Sequence, residues 1–195
     1  MWDERYKEDG FAYGIEPNSF LVEKVRLLRS PVLSLGEGEG RNAVFLASLG
    51  LKVLGVDGAS VGLKKAQALA RSKKVEIDTE LADLSLYEPP EKYFESVVSI
   101  SVHLPSAVRK RLYPLVERAL KPGGVFILEE YSISQLDRDT GGPKHVDLLT
   151  TITDLESLFP NCDPILSHEV EREVIEGVHH TGLSSVIQFI TQKRA

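Results

Sequence analysis

Cysteine is nearly absent from this 195-residue sequence: Cys162 stands alone. No internal disulfide can form, no Cys-rich zinc site can be built, and a reducing compartment is expected. Long apolar runs are missing too, and none approaches the roughly 20 residues that span a bilayer, which excludes a transmembrane helix. Positive charge is in deficit, with 23 Lys and Arg against 29 Asp and Glu and a formal net charge of −6. Nucleic acid needs a basic face to replace its counterions, so no nucleic-acid partner is expected. The amino terminus, Met1-Trp2-Asp3-Glu4-Arg5, is acidic and aromatic rather than basic and then apolar, which predicts no secretory signal and a cytoplasmic protein. No repeat, low-complexity tract or linker interrupts the chain, and its length suits one domain over residues 1–195.

What is present is an alternation of short apolar strands and amphipathic helices. Pro17 to Arg29 reads as a helix, with Phe20, Leu21, Val25 and Leu28 at near-helical spacing. Val32 to Leu35 is a strand ended by glycines, Asn42 to Leu49 a helix closed by Gly50, and Lys52 to Val56 a second strand. Ser60 is expected to cap a helix to Arg71, followed by a strand alternating over Val75, Ile77, Thr79 and Leu81. Ser96 to Ile100 is a fourth strand. Pro105 starts the next helix, where the run Arg109-Lys110-Arg111 reads as a solvated face, and Val125 to Leu128 is a fifth strand. Strands separated by helices imply parallel pairing through right-handed crossovers, hence an open, doubly wound sheet. The tail differs: Val170 to Ile175 and Val186 to Thr191 are joined too closely for a helical crossover and predict an antiparallel hairpin.

In such a sheet the binding crevice lies beyond the carboxyl ends of the strands, where crossovers diverge to opposite faces. Two features fall there. Gly36-Glu37-Gly38-Glu39-Gly40 follows the first strand and opens a helix, so a ligand can approach the backbone closely. Asp57 ends the second strand, 21 residues beyond Gly36, where a carboxylate can accept both hydrogen bonds of a ribose diol. Together they predict a nucleoside site; the plainer alternative is a bare turn and a helix-capping aspartate. A dinucleotide loop would read G-x-G-x-x-G, but Arg41 holds the last glycine position, and Glu37 and Glu39 would crowd a pyrophosphate with negative charge.

With these motifs the sequence resembles the class I S-adenosylmethionine-dependent methyltransferases, nearest to their small tellurite-resistance and thiopurine-type group. The resemblance runs over nearly the whole chain: Trp2-Asp3-Glu4-Arg5-Tyr6, Tyr13-Gly14, Leu35 to Asn42, Gly55-Val56-Asp57, Ala82-Asp83-Leu84, His103-Leu104-Pro105 and Leu120 to Gly124. It implies a Rossmann-like, doubly wound sheet of seven strands, mostly parallel with an antiparallel carboxyl-terminal hairpin strand, helices on both faces, and residues 1–30 as a lid segment on a 31–195 core. It also implies S-adenosylmethionine as cofactor. Gly36, Glu37 and Gly38 would line its methionine and ribose parts, Asp57 with Gly58 beside it the ribose, Asp83 and Leu84 the adenine, and Ser99, Ile100 and Ser101 the underside of the methionine. Trp2, Arg5, Tyr6 and Tyr13 would form the lid, with Arg5 or Arg41 for the carboxylate. One departure is Ser34, where the family often carries an acid that bears on the cofactor ammonium.

Methyl transfer needs position more than a reactive side chain, and a general base is optional. His103, just past the fourth strand, is the best placed candidate for acceptor contact, against a plain histidine at a strand-to-helix junction. His179 and His180 lie in the last connection and are further candidates, His180 above all; as neighbours they do not share the i, i+4 face of helical metal ligands, and no metal is expected. Thr140 to His145 reads either as a mobile lid over the acceptor or as a surface loop, and Cys162, with no basic neighbour in sequence, as structural. The acceptor is expected to be a small molecule, a thiol or a chalcogen or metalloid oxyanion. Two other readings remain open at this point: a protein that binds the cofactor or its product without catalysis, and an NAD(P)-dependent oxidoreductase.

Overall fold

Val32-Leu33-Ser34-Leu35 is buried on both faces and becomes the central strand β1 (Val32–Leu35). The structure is a computed structural model that describes residues 2–177 and 180–195, and of His180 its backbone alone. β1 pairs in parallel with β2 (Val53–Asp57) on one side and β4 (Phe94–Ile100) on the other. β3 (Asp78–Leu81) extends the sheet beyond β2, and β5 (Leu120–Tyr131) extends it beyond β4, both in parallel. β7 (His180–Lys193) then pairs antiparallel with β5, and β6 (Cys162–Glu176) antiparallel with β7 at the edge. The order is β3-β2-β1-β4-β5-β7-β6. The crossover out of β1 moves one way along the sheet and the crossover into β4 the other, so the switch point lies at the carboxyl ends of β1 and β4.

The two faces carry separate cores. On one, Val32, Val53, Val98 and Ile127 pack under α2 (Ser19–Lys24), α3 (Arg41–Ser48) and α4 (Ser60–Ser72), through Phe20, Leu21, Leu46, Ala66 and Leu69. On the other, Leu33, Leu35, Val97, Phe126, Leu128 and Phe189 pack under α5 (Ser106–Ala119) and α6 (Ile152–Ser157), through Leu112, Tyr113, Val116 and Leu155. Alternate residues of each strand go to opposite cores, as the pleat requires. Among the described residues no helix is long and apolar enough to cross a membrane.

Several boundaries differ from those predicted. The helix expected over Pro17 to Arg29 is α2 followed by a 3₁₀ turn over Val25–Leu27. Asn18 supplies its cap, its side chain accepting from the Leu21 N–H. Ser60 does not cap α4: it is the first helical residue, Ala59 precedes it, and the carboxylate of Asp3 accepts the Val61 N–H at 2.9 Å instead. Val75 and Ile77 precede β3 rather than belong to it. The hairpin is far longer than its apolar stretches, registered without a break from Glu176↔His180 to Val170↔Val186 and on to Cys162↔Lys193 with one bulge. Backbone pairing carries it through charged residues that face solvent on an edge strand.

Candidate functional site

The glycine loop leaves β1 with two close approaches. A Cβ on Gly36 would stand 2.7 Å from Val102, and one on Gly40 would stand 2.6 Å from the Ala66 Cα of α4. Both residues also have positive φ, 58° and 96°, so neither position admits a side chain. The third glycine therefore comes at 40 because helix α4 crosses there. Glu37 is buried beneath the loop: Ser34 Oγ donates to one carboxylate oxygen and the Ala43 N–H to the other at 2.9 Å. Burial pushes its carboxyl up to about 7, against the pull of those two donors and of Arg41. Ser34 thus works together with an acid three residues on.

Asp57 ends β2 with its carboxylate held by two backbone donors, Gly38 N–H at 2.8 Å and Ala59 N–H at 2.7 Å. It is therefore both a helix-end acceptor and a brace for the glycine loop. A carboxylate has about four lone-pair sites, so two remain to accept from a ligand. Burial raises its pKa. Asp83 is exposed, and the Ser85 N–H on its side chain lowers its pKa.

Arg41 begins α3 and is buried. Its Nη2 donates to Glu176 Oε2 of β6 at 2.6 Å, while its Nη1, equally buried, has no acceptor among the described residues. Glu176 and Glu129 are bridged in turn by Asn18 Nδ2 at 2.7 Å to each, and Arg172 donates to Glu129 at 2.6 Å. This network ties the amino-terminal segment to the hairpin and fixes Arg41.

The amino-terminal segment covers the loop. α1 (Trp2–Tyr6) buries the Tyr6 ring between two glycines: a Cβ on Gly38 would meet its hydroxyl at 2.7 Å, and one on Gly62 of α4 its ring at 2.9 Å. Trp2 stacks on Tyr6, Arg5 lies 5.1 Å over the Trp2 ring and donates to Tyr13 Oη at 2.6 Å. Lys65 of α4 closes the strap, donating to the carbonyls of Glu8 and Gly10 and to Glu39, whose other oxygen accepts the Ala12 N–H.

These elements enclose one cavity of about 970 Å³. Trp2, Arg5, Tyr6, Tyr13, Gly36, Glu37, Gly38, Arg41, Asp57, Gly58, Asp83, Leu84, Ile100, Ser101 and His103, all singled out from sequence, line it. Ser99 does not: its side chain is buried on the opposite side of β4, beside the Tyr113 hydroxyl of α5. His179 lies outside the described residues, as does the side chain of His180. Gly141 to His145 also line the cavity, with Gly141 and Thr140 held by the Gln135 side chain at 3.0 Å.

His103 stacks on Tyr131, centroids 5.3 Å apart and planes within 10°. Arg109, expected on a solvated helix face, is instead buried: it donates to the carbonyls of Leu104, Asp147 and Leu149, fixing the loops on both sides of His103. A guanidinium with five donors can satisfy three carbonyls at once, which a sequence-local reading of a basic run overlooks. Arg111 likewise donates to the carbonyls of Leu86 and Tyr87. Among the described residues no cluster of side chains could hold a metal ion.

Residues 32–124 match a family described as a methyltransferase domain. No protein of curated function matches the chain in sequence. Among solved structures the chain is similar to a protein described under the conversion of a disulfide bond into a thioacetal group during echinomycin biosynthesis, with TM-score 0.81, 19% identity, and 99% of this chain and 91% of that one covered. It is similar to a SAM-dependent methyltransferase from Methanosarcina mazei, with TM-score 0.71, 18% identity, and 92% and 99% covered. It is also similar to TehB from Haemophilus influenzae, with TM-score 0.71, 17% identity, and 99% and 66% covered. The matched stretch carries the glycine loop, Asp57 and Asp83 on the sheet that positions them; the protein is a methyltransferase, and its fold is that of SAM-dependent methyltransferases.

Proposed function

We propose that this enzyme methylates a small molecule, a soft nucleophile such as a thiol or a chalcogen or metalloid oxyanion, in the cytoplasm, and that it stands nearest to the tellurite-resistance and thiopurine-type group. The observation that carries the reading is the continuous cavity that runs from Asp57 and Asp83 past the glycine loop to His103 and residues 141–145. Its volume is at the upper end of the roughly 300–1,000 Å³ that encloses one drug-sized ligand, leaving room for a small acceptor beside the cofactor. One similar protein is tied by its description to sulfur chemistry, the conversion of a disulfide into a thioacetal.

The residues present fit the cofactor. The Nη1 of Arg41, buried and without an acceptor among the described residues, suits its carboxylate, aided by the start of α3, and the spare lone pairs of Asp57 suit its ribose diol. In this reading Asp83 and Leu84 hold the adenine, Gly36, Glu37 and Gly38 the methionine and ribose, and Ile100 and Ser101 the underside. The whole chain acts as one domain, with residues 1–30 as its lid. When bound, the cofactor supplies an electrophilic methyl group. The protein contributes position: the cavity walls hold the acceptor in line with that methyl and exclude water. Where the acceptor arrives protonated, His103 takes its proton, since the ring lines the acceptor end of the cavity.

The test is release of S-adenosylhomocysteine by the purified protein over a panel of thiols, selenols and metalloid oxyanions. Turnover with at least one is expected, and His103→Asn should lower it by about 10²-fold or more with cofactor affinity unchanged. Transfer to protein or RNA alone would overturn the small-molecule reading.

A further inference from the structure

The buried carboxylates around the cavity are not alike. Glu39 faces Lys65 at 2.9 Å, Glu176 faces Arg41 at 2.6 Å, and Glu129 faces Arg172 at 2.6 Å. Glu37 is as buried as these and lines the same cavity, yet no ion pair reaches it among the described residues. Its two hydrogen bonds come from neutral donors, Ser34 of β1 and the Ala43 N–H of α3. β2 makes room for it with Gly55, where a Cβ would stand 2.9 Å from Glu37 Cγ. The charged groups that bear on it are Arg41, already committed to Glu176, and Asp57, which repels it. The lid contributes Tyr6, whose hydroxyl is buried and neutral against Gly38. A carboxylate in this position lacks a counter-charge of its own, and the ligand of the cavity brings one.

We propose that Glu37 is a proton-coupled positioning residue: the cationic cofactor acts as its missing counter-ion, so that cofactor binding ionises the Glu37 carboxyl and releases its proton to solvent. The proposal rests on the reading that places the methionine end of the cofactor over Gly36 to Gly38. The balance is simple: one carboxyl O–H bond breaks, the proton passes to buffer, and the electron pair stays on the carboxylate. A buried carboxyl at about 7 is roughly half protonated at neutral pH. An opposite charge within about 4–6 Å favours the ionised form by tenfold to a thousandfold, enough to complete the ionisation. Ionised, Glu37 accepts from both Ser34 and Ala43 and holds the glycine loop against β1, β2 and α3. S-adenosylmethionine carries one more positive charge than S-adenosylhomocysteine, so the substrate form should release more proton than the product form.

Calorimetric titration with S-adenosylmethionine at pH 7, repeated in phosphate, HEPES and Tris, measures the protons released from the dependence of the heat on buffer ionisation. The wild-type protein should release about half a proton per cofactor bound, and less with S-adenosylhomocysteine. Glu37→Gln keeps the shape and an acceptor oxygen for the Ala43 N–H, while its amide nitrogen donates to the Ser34 hydroxyl instead of accepting from it; it should bind with release near zero. Ser34→Ala removes a donor that favours the ionised form, so its release should persist to higher pH than in the wild type. Cofactor binding with equal release in wild type and Glu37→Gln, or with no release in the wild type, would overturn the proposal and leave the cofactor site standing. Absence of binding to the wild type would overturn the placement of the cofactor as well.

Discussion

At the scale of single residues, Asp57 does two things with one carboxylate. It braces the glycine loop through the Gly38 N–H and leaves lone pairs that, in the proposed reading, accept from the ribose. Removing it as Asp57→Ala should cost the charge-assisted bonds to the diol, about 1.5–3 kcal/mol, or roughly 10- to 150-fold in cofactor dissociation constant. Calorimetric titration of a variant with unchanged circular dichroism checks this, and unchanged affinity would take the ribose away from Asp57. Asp57 and Gly36 could be picked out from sequence because each sits at a strand end whose position the alternation of elements dictates. Gly62 and Lys65 could not, because their partners are the Tyr6 ring and the carbonyls of Glu8 and Gly10 on a distant, irregular stretch. Arg109 was misplaced for the same reason: the carbonyls of Asp147 and Leu149 that bury it lie 38 and 40 residues away.

At the scale of elements, the proposed lid opens with α1, a short helix with little stability of its own that is held by shape. Five residues cannot form a stable isolated helix, so α1 persists because Tyr6 fills the gap between Gly38 and Gly62, and because Asp3 accepts from Val61. Gly62→Ala should therefore separate the lid from the core. Alanine favours the helix α4 by about 1 kcal/mol, which offsets the crowding of the core backbone, so the core should melt close to the wild type. The new methyl would meet the Tyr6 ring at 2.9 Å, displacing the lid, and the Gly38 carbonyl at 3.0 Å, where the glycine loop must give slightly. Part of the roughly 1.5–3 kcal/mol from burying a large side chain would be lost, which predicts cofactor affinity about 5- to 30-fold weaker and faster tryptic cleavage at Arg5 and Lys7. Full affinity with unaltered cleavage would show that the lid tolerates the methyl. The strand and helix order was legible in the apolar periodicity, whereas the extent of β6 was not. Its run His168-Glu169-Val170-Glu171-Arg172-Glu173 is polar because one face of an edge strand meets solvent, and only pairing with β7 reveals it as a continuous strand.

At the scale of the whole molecule, two buried carboxyls each take stability from the fold as pH rises. Glu130 of β5 is buried with neither oxygen hydrogen-bonded among the described residues, and burial pushes its carboxyl up to about 8, against the pull of Arg109. In the unfolded chain it ionises near the ordinary 4.5. Between about pH 4.5 and 8 the unfolded state has released a proton that the folded state still holds, so this group's contribution to stability falls as pH rises through that window. Glu37 acts in the same direction up to about pH 7. For Glu130 the sum is on the order of 3–5 kcal/mol. Glu130→Gln replaces the neutral acid with a neutral amide of the same shape and removes the part of the dependence that belongs to Glu130. Its melting temperature should lie near the wild type's at pH 5 and exceed it by about 6–20 °C at pH 8.5, a protein of this size shifting about 2–4 °C per kcal/mol. Thermal melts of both proteins across that range provide the check, and parallel profiles would mean that Glu130 is ionised, or solvated, in the folded state. Were the profiles to diverge as expected, the buried acid would be a fixed cost of the fold in alkali, distinct from Glu37, whose proton the cofactor displaces.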